Sequence, residues 1–209
     1  MKISRFLAVA GLVAAGTAVA GGGGPSSVLF KFDGGTGNQV FRNSATGPVL
    51  NTVAGVAPAG APWGITGFDA TIKTNGDIRA VGEGVLLWGA DGMGTRAGPR
   101  QVILSLFCRT GAPVPPATST PLNLVPFNSP PVDLDEDGDF VLRGKLTDAT
   151  GQTPPASCGD TVDNRPVLLI RAVTPANATT GAPAAPAAWF AAGFISPKRG
   201  HGRGDWDRY

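Results

Sequence analysis

Apolar residues in this chain recur at every second position, in short runs broken by glycine- and proline-rich stretches. That period restricts each run to a β-strand with one face turned to a core. Gln101–Arg109 carries it most strongly: Val102, Leu104, Leu106 and Cys108 share one face, and Ile103 and Phe107 the other, with Gln101, Ser105 and Arg109. Val28–Phe32 alternates in the same way. Phe68–Lys73 and Ile78–Trp88 flank Thr74–Asp77, where Asn75-Gly76 tolerates the positive φ of a tight hairpin. Gly82 and Gly84 mark a bulge or bend in the returning strand. Asp139–Leu146 places Phe140, Leu142 and Leu146 inward and Arg143 and Lys145 outward. Pro166–Val173 contains Val-Leu-Leu-Ile, the continuous apolar run of a strand buried on both faces. Pro48–Val56, a weaker Pro121–Phe127 and Ala187–Ile195 complete the set; the alanines of the last also permit a short helix.

The 31 glycines and 19 prolines among 209 residues interrupt helices, and no amphipathic helical period is seen after the N-terminal segment. Charged residues are only 15% and hydrophobic ones 42%, which argues against wholesale disorder. The expected fold is all-β: a single antiparallel β-sandwich of jelly-roll or Greek-key type, or a partly closed barrel, over residues 28–196.

The N-terminus reads as a cleavable secretory signal over residues 1–20. Lys2 and Arg5 precede an uncharged apolar run, which closes on the small-x-small pattern Ala18-Val19-Ala20. The run, Phe6–Ala20, is short of the roughly 20 residues that span a bilayer, so no membrane span is expected after cleavage. No cysteine follows it as a lipid anchor. A glycine-rich linker, 21–27, leads into the domain, and 197–209 reads as a disordered polar tail. Two of the 17 Lys and Arg residues belong to the signal, and the remaining 15 equal the 15 Asp and Glu. No nucleic-acid partner is expected from that balance. The destination is extracytoplasmic, either periplasm or medium.

Cys108 and Cys158 are the two cysteines, and in an oxidising compartment an even pair forms a disulfide. The competing reading, two thiolate metal ligands, lacks further ligands, because the one histidine is His201 in the tail.

Asp133, Asp135, Asp137 and Asp139 alternate ahead of Phe140, with Gly138 among them, like the front of a calcium loop. The helix–loop–helix form needs a glutamate at the twelfth position, which here is Gly144, and a strand follows instead of a helix. The plainer reading is a solvated acidic hairpin turn. Asp33–Asn38 is glycine-rich but precedes no helix, so it reads as a turn and not a phosphate cradle. Among the tryptophans, Trp63 in a Pro/Gly turn is the best exposed platform for a sugar ring, whereas Trp88 and Trp189 sit in apolar strands and read as core.

Catalytic patterns are scarce. No Gly-x-Ser-x-Gly occurs, and His201 has nothing to hold it in place. A carboxylate-pair glycosidase would draw on acids such as Asp69, Asp77, Glu83, Asp91 and Asp160, but nothing singles out a pair. Arg203-Gly204-Asp205 and Asn177-Ala178-Thr179 are short matches to recognition and glycosylation patterns.

Phe30-Lys31-Phe32-Asp33-Gly34-Gly35, Ala59-Gly60-Ala61-Pro62-Trp63, Gly138-Asp139-Phe140, Pro166–Arg171 and Trp189–Gly193 give the chain a resemblance to a group of small secreted bacterial all-β proteins of unassigned function. That resemblance implies an exported single domain with one disulfide and supplies no catalytic residues. The residues therefore favour a non-enzymatic exported protein with a binding or envelope role and a glycan or cell-surface partner. The alternatives are a calcium-stabilised carbohydrate- or surface-binding module and an extracytoplasmic hydrolase using a carboxylate pair.

Overall fold

The computed structural model describes residues 26–39, 41–43, 47–49, 51–98, 100–109, 124–159, 165–176, 179 and 184–196. The expected signal, most of the linker, the polar tail, Asp160 and Asn177 lie outside the described residues. No helix forms among those described, and none is therefore long and apolar enough to cross a membrane.

The main strands are β1 (Val28–Gly37), β5 (Gly67–Lys73), β6 (Asp77–Glu83), β8 (Gln101–Phe107), β11 (Phe140–Lys145), β12 (Val167–Thr174) and β13 (Ala185–Ile195). With the short β9 (Pro126–Asn128) and β10 (Val132–Asp133), they form one nine-stranded sheet in the order β10-β8-β12-β13-β1-β5-β6-β11, with β9 also on β8. Every pairing within it is antiparallel. Two small ribbons stand apart: β2 (Phe41–Asn43) with β3 (Gly47–Val49), and β4 (Trp63–Gly64) with β7 (Leu86–Leu87).

The sheet curls until its edges nearly meet. Asn128, at the end of β9, bridges Thr147, just past β11, through reciprocal N–H···O bonds of 2.8 and 3.1 Å. Pro130, which has no N–H to offer a ladder, packs at Gly144 of β11 instead. The all-β antiparallel expectation therefore holds, in the form of a nearly closed barrel.

The interior is filled by alternating large and small residues, the way a small barrel resolves its taper. Phe32, Ala70, Ala80 and Leu142 are in register across β1, β5, β6 and β11. One row further on, Gly82 lies between Phe68 and Phe140, and the Phe140 ring occupies the space a side chain at Gly82 would need. From β8, β12 and β13 come Val102, Leu104, Leu106, Leu168, Ile170 and Phe190, all buried in the same cluster.

β12 is buried on both faces, as its apolar run predicts. Its outward Leu169 joins Phe107 and Trp189 in a second cluster, covered by Val53, Ala54 and Val56. The covering segment continues alongside β13, where Ala59 N donates to Trp189 O at 3.0 Å and Trp189 N to Ala57 O at 3.1 Å. The C-terminal alanine-rich segment is strand and not helix, because both its edges are paired.

The β5–β6 hairpin has the expected Asn-Gly chemistry, but only Gly76 takes a positive φ (84°). Asn75 Oδ1 accepts from Asp77 N at 3.1 Å and completes the turn. The expected break in the next strand falls at Gly84 (φ 63°), which separates β6 from β7.

Cys108 and Cys158 form the expected disulfide, with Cα atoms 5.2 Å apart. Both are buried. The bond ties the loop after β11 to the end of β8, closing that end of the barrel.

Candidate functional site

The two ends of the barrel differ. At the disulfide end, β5 and β6 are joined by a tight turn. The opposite end gathers the start of β8, the ends of β6, β10 and β12, and the β4–β7 ribbon. It carries the connections from β1 to β5 and from β6 to β8, and loops on a rigid barrel are where binding residues concentrate.

The plug of this end is built around Asn38, which is fully buried. Its Oδ1 accepts from Trp63 N at 2.6 Å, its Nδ2 donates to Ala59 O at 2.9 Å, and its own N–H donates to Phe190 O at 2.7 Å. One side chain thus fixes the 59–63 segment to the end of β1. Trp63 is thereby driven inward: it is 4% exposed, and its ring centroid lies 3.9 Å from that of Phe190. The expectation that Trp63 is an exposed sugar platform is corrected: Asn38 turns its backbone into the barrel mouth, where the indole is worth most as apolar fill. Nothing periodic around Asn38 announces this role.

Trp88 takes the surface position instead, at 53% exposure, and the expectation that it is core is also corrected. Its N–H donates to Pro62 O at 2.9 Å, which continues the β4–β7 ribbon by one residue. The indole lies over Gly64, and a Cβ there would collide with Cε2 and Nε1 of the ring. The ring is therefore seated against backbone while about half of the residue stays exposed. Leu87 accepts from Gly94 N at 2.9 Å and donates to Thr95 O at 2.8 Å, so the loop carrying Trp88 is closed at its neck. Within and beyond that loop, Ala90 and Ala97 hold left-handed backbone (φ 64° and 45°), a conformation that costs a side-chain-bearing residue about 1–2 kcal/mol. Met93, 69% exposed, stands on the same loop.

The acidic turn flanks this loop but does not form a calcium cradle. Asp135 Oδ1 accepts from the N–H groups of Asp137 and Asp139, at 3.1 and 2.8 Å. Asp139 Oδ1 accepts from Gly84 N at 2.8 Å, and Asp133 Oδ1 from Gln101 Nε2 at 2.9 Å. The carboxylates of Asp133, Asp135 and Asp139 are thus turned to separate partners, and no group of three or more ligating side chains converges among the described residues. Leu134 and Phe140, both buried, anchor the turn from below.

Asp33 and Asp69 face each other across β1 and β5, but both are exposed on the convex outer wall, where no enclosure holds a substrate between them. Asp77 and Glu83 lie at opposite ends of β6. Asp91 is exposed in the Trp88 loop.

A polar network lies outside the barrel wall. Arg171 is 9% exposed. Its Nε donates to Ala187 O at 2.8 Å, its Nη2 to Pro186 O at 3.2 Å and its Nη1 to Ser105 Oγ at 3.4 Å. Ser105 Oγ in turn donates to Asn128 Oδ1 at 2.6 Å. Burial works against the guanidinium charge, and two carbonyls and the Ser105 hydroxyl take its N–H groups. The arrangement stitches β8, β9, β12 and β13 together and is structural.

No protein-family model, curated protein or solved structure matches the chain.

Proposed function

We propose that this is an exported, non-enzymatic binding protein, and that it takes carbohydrate through the end of the barrel headed by Trp88. The observation that carries the reading is half-exposed Trp88, its ring seated against Gly64. An aromatic ring seated in this way and open to water matches the apolar C–H face of a sugar ring. Its seat on backbone limits the freedom lost on binding. A buried disulfide is compatible with an oxidising, extracytoplasmic location. The filled interior supports surface binding over carriage of a ligand inside the barrel.

The test is affinity electrophoresis through gels containing soluble polysaccharides: β-glucan, xylan, and a chitin derivative. Wild-type protein is expected to be retarded in at least one gel, and Trp88→Ala to migrate as in the sugar-free gel. Equal retardation of both proteins sinks the assignment to Trp88.

A further inference from the structure

At the same end of the barrel, a surface cleft of about 730 Å³ opens between the start of β8, the end of β12 and β10. That volume lies within the range of small-ligand sites. Its lining combines Arg100, Gln101, Asp133 and Thr174 with the apolar Val173 and Pro175. Arg100 and Asp133 both line this space and are both exposed. Gln101 Nε2 holds Asp133 Oδ1 at 2.9 Å, which leaves Gln101 Oε1 and Asp133 Oδ2 to accept hydrogen bonds. The walls are fixed from behind. Leu134 N donates to Arg100 O at 2.9 Å, and Arg96 Nη1 donates to Leu134 O at 2.9 Å. Arg96 lies on the stretch of chain that runs from Trp88 to the cleft.

We infer that this cleft is a saccharide subsite, an inference that rests on the carbohydrate reading of the Trp88 end. The lining selects by elimination of charge. A phosphate or carboxylate ligand would meet Asp133, and a cation would meet Arg100. A neutral polyol meets a guanidinium donor, a carboxylate acceptor, an amide oxygen and the Thr174 hydroxyl at once. Adjacent hydroxyls of a sugar can both give and take hydrogen bonds, and its C–H face suits Val173 and Pro175. A small amino-acid zwitterion also carries both charges, but it leaves most of a 730 Å³ volume to water.

Calorimetric titration of the folded protein with chitotriose, cellotriose and xylotriose, and separately with L-alanine, tests this. The proteins are wild type, Trp88→Ala, Gln101→Ala, Asp133→Ala and Thr174→Val. All four substituted side chains are exposed, and a thermal melt of each variant checks that it folds. The expected result is trisaccharide binding by wild type, weakened roughly tenfold by Gln101→Ala or Asp133→Ala, the loss of one or two hydrogen bonds. If Trp88→Ala weakens binding while Gln101→Ala, Asp133→Ala and Thr174→Val bind as wild type, the cleft is overturned and the Trp88 reading stands. If the cleft variants weaken binding and Trp88→Ala does not, the cleft stands and the Trp88 reading is overturned. Cleft-dependent binding of L-alanine in place of trisaccharide overturns the saccharide class. Absence of binding to all three trisaccharides overturns both.

Discussion

Trp88 lies on Gly64 with no room for a β-carbon between them. The glycine thereby sets the tilt of an indole that stands half out of the surface. Gly64→Ala is expected to lift the ring from its seat while leaving the barrel intact. Because the Trp88 side chain is exposed and can swing away, the stability cost should be small, about 1 kcal/mol. Polysaccharide retention should fall toward that of Trp88→Ala. A Gly64→Ala protein that melts near wild type and binds as wild type contradicts the role given to the seat.

The disulfide closes a 50-residue separation between β8 and the loop after β11. In the chain-entropy view, a loop of that length contributes about 4 kcal/mol. The double variant Cys108→Ala/Cys158→Ala should melt roughly 8–16 °C lower in differential scanning calorimetry. A shift of only a degree or two would mean that the barrel end is held by other contacts.

Arg171→Lys should not be conservative. Three guanidinium nitrogens reach three separate acceptors, and one ammonium cannot reproduce that fork. The expected loss is about 1–3 kcal/mol, with faster hydrogen exchange at the start of β13, around Ala187–Trp189. Unchanged exchange there would show that the strand is held by its ladder alone.

Asp148 accepts hydrogen bonds from Thr150 Oγ1 and N at 2.8 Å and from Gln152 N at 2.9 Å. The Thr150 side chain first, then the Gln152 amide, hold its pKa below the usual carboxylate value. A carboxylate whose pKa is lower in the folded than in the unfolded chain contributes stability above the unfolded pKa and loses it as pH falls through the folded one. Asp148→Asn should therefore narrow the difference in melting temperature between neutral pH and pH below the carboxylate range. An identical pH dependence in the two proteins contradicts this.

The strands were legible because burial in a barrel wall imposes period two, which β5, β6 and β11 show in their burial, while β8 is buried on both faces after Gln101. β12 was legible for the opposite reason: Val167–Ile170 has no polar position because Leu169 meets a covering segment while Leu168 and Ile170 face the core. The closure of the sheet left no trace in periodicity, since it depends on one bridge, Asn128 to Thr147, and a proline beside Gly144. The exchange of roles between Trp63 and Trp88 was illegible for a similar reason. A Pro/Gly turn suggests exposure and a strand suggests core, but Asn38, 25 residues from Trp63, decides which indole fills the mouth. The acids at 133–139 read as ligands only while their partners were unknown; Gln101, Gly84 and their own backbone take up three of the carboxylates.

The most direct test of a carbohydrate site at the Trp88 end is a nuclear magnetic resonance titration of ¹⁵N-labelled protein with chitotriose, cellotriose and xylotriose in turn. The expected result, for at least one of them, is a shift of the Trp88 indole N–H and of the amides of residues 63, 64 and 86–98, with the amides around Cys108 and Cys158 unmoved. Shifts confined to the disulfide end, or none with any of the three sugars, would contradict it.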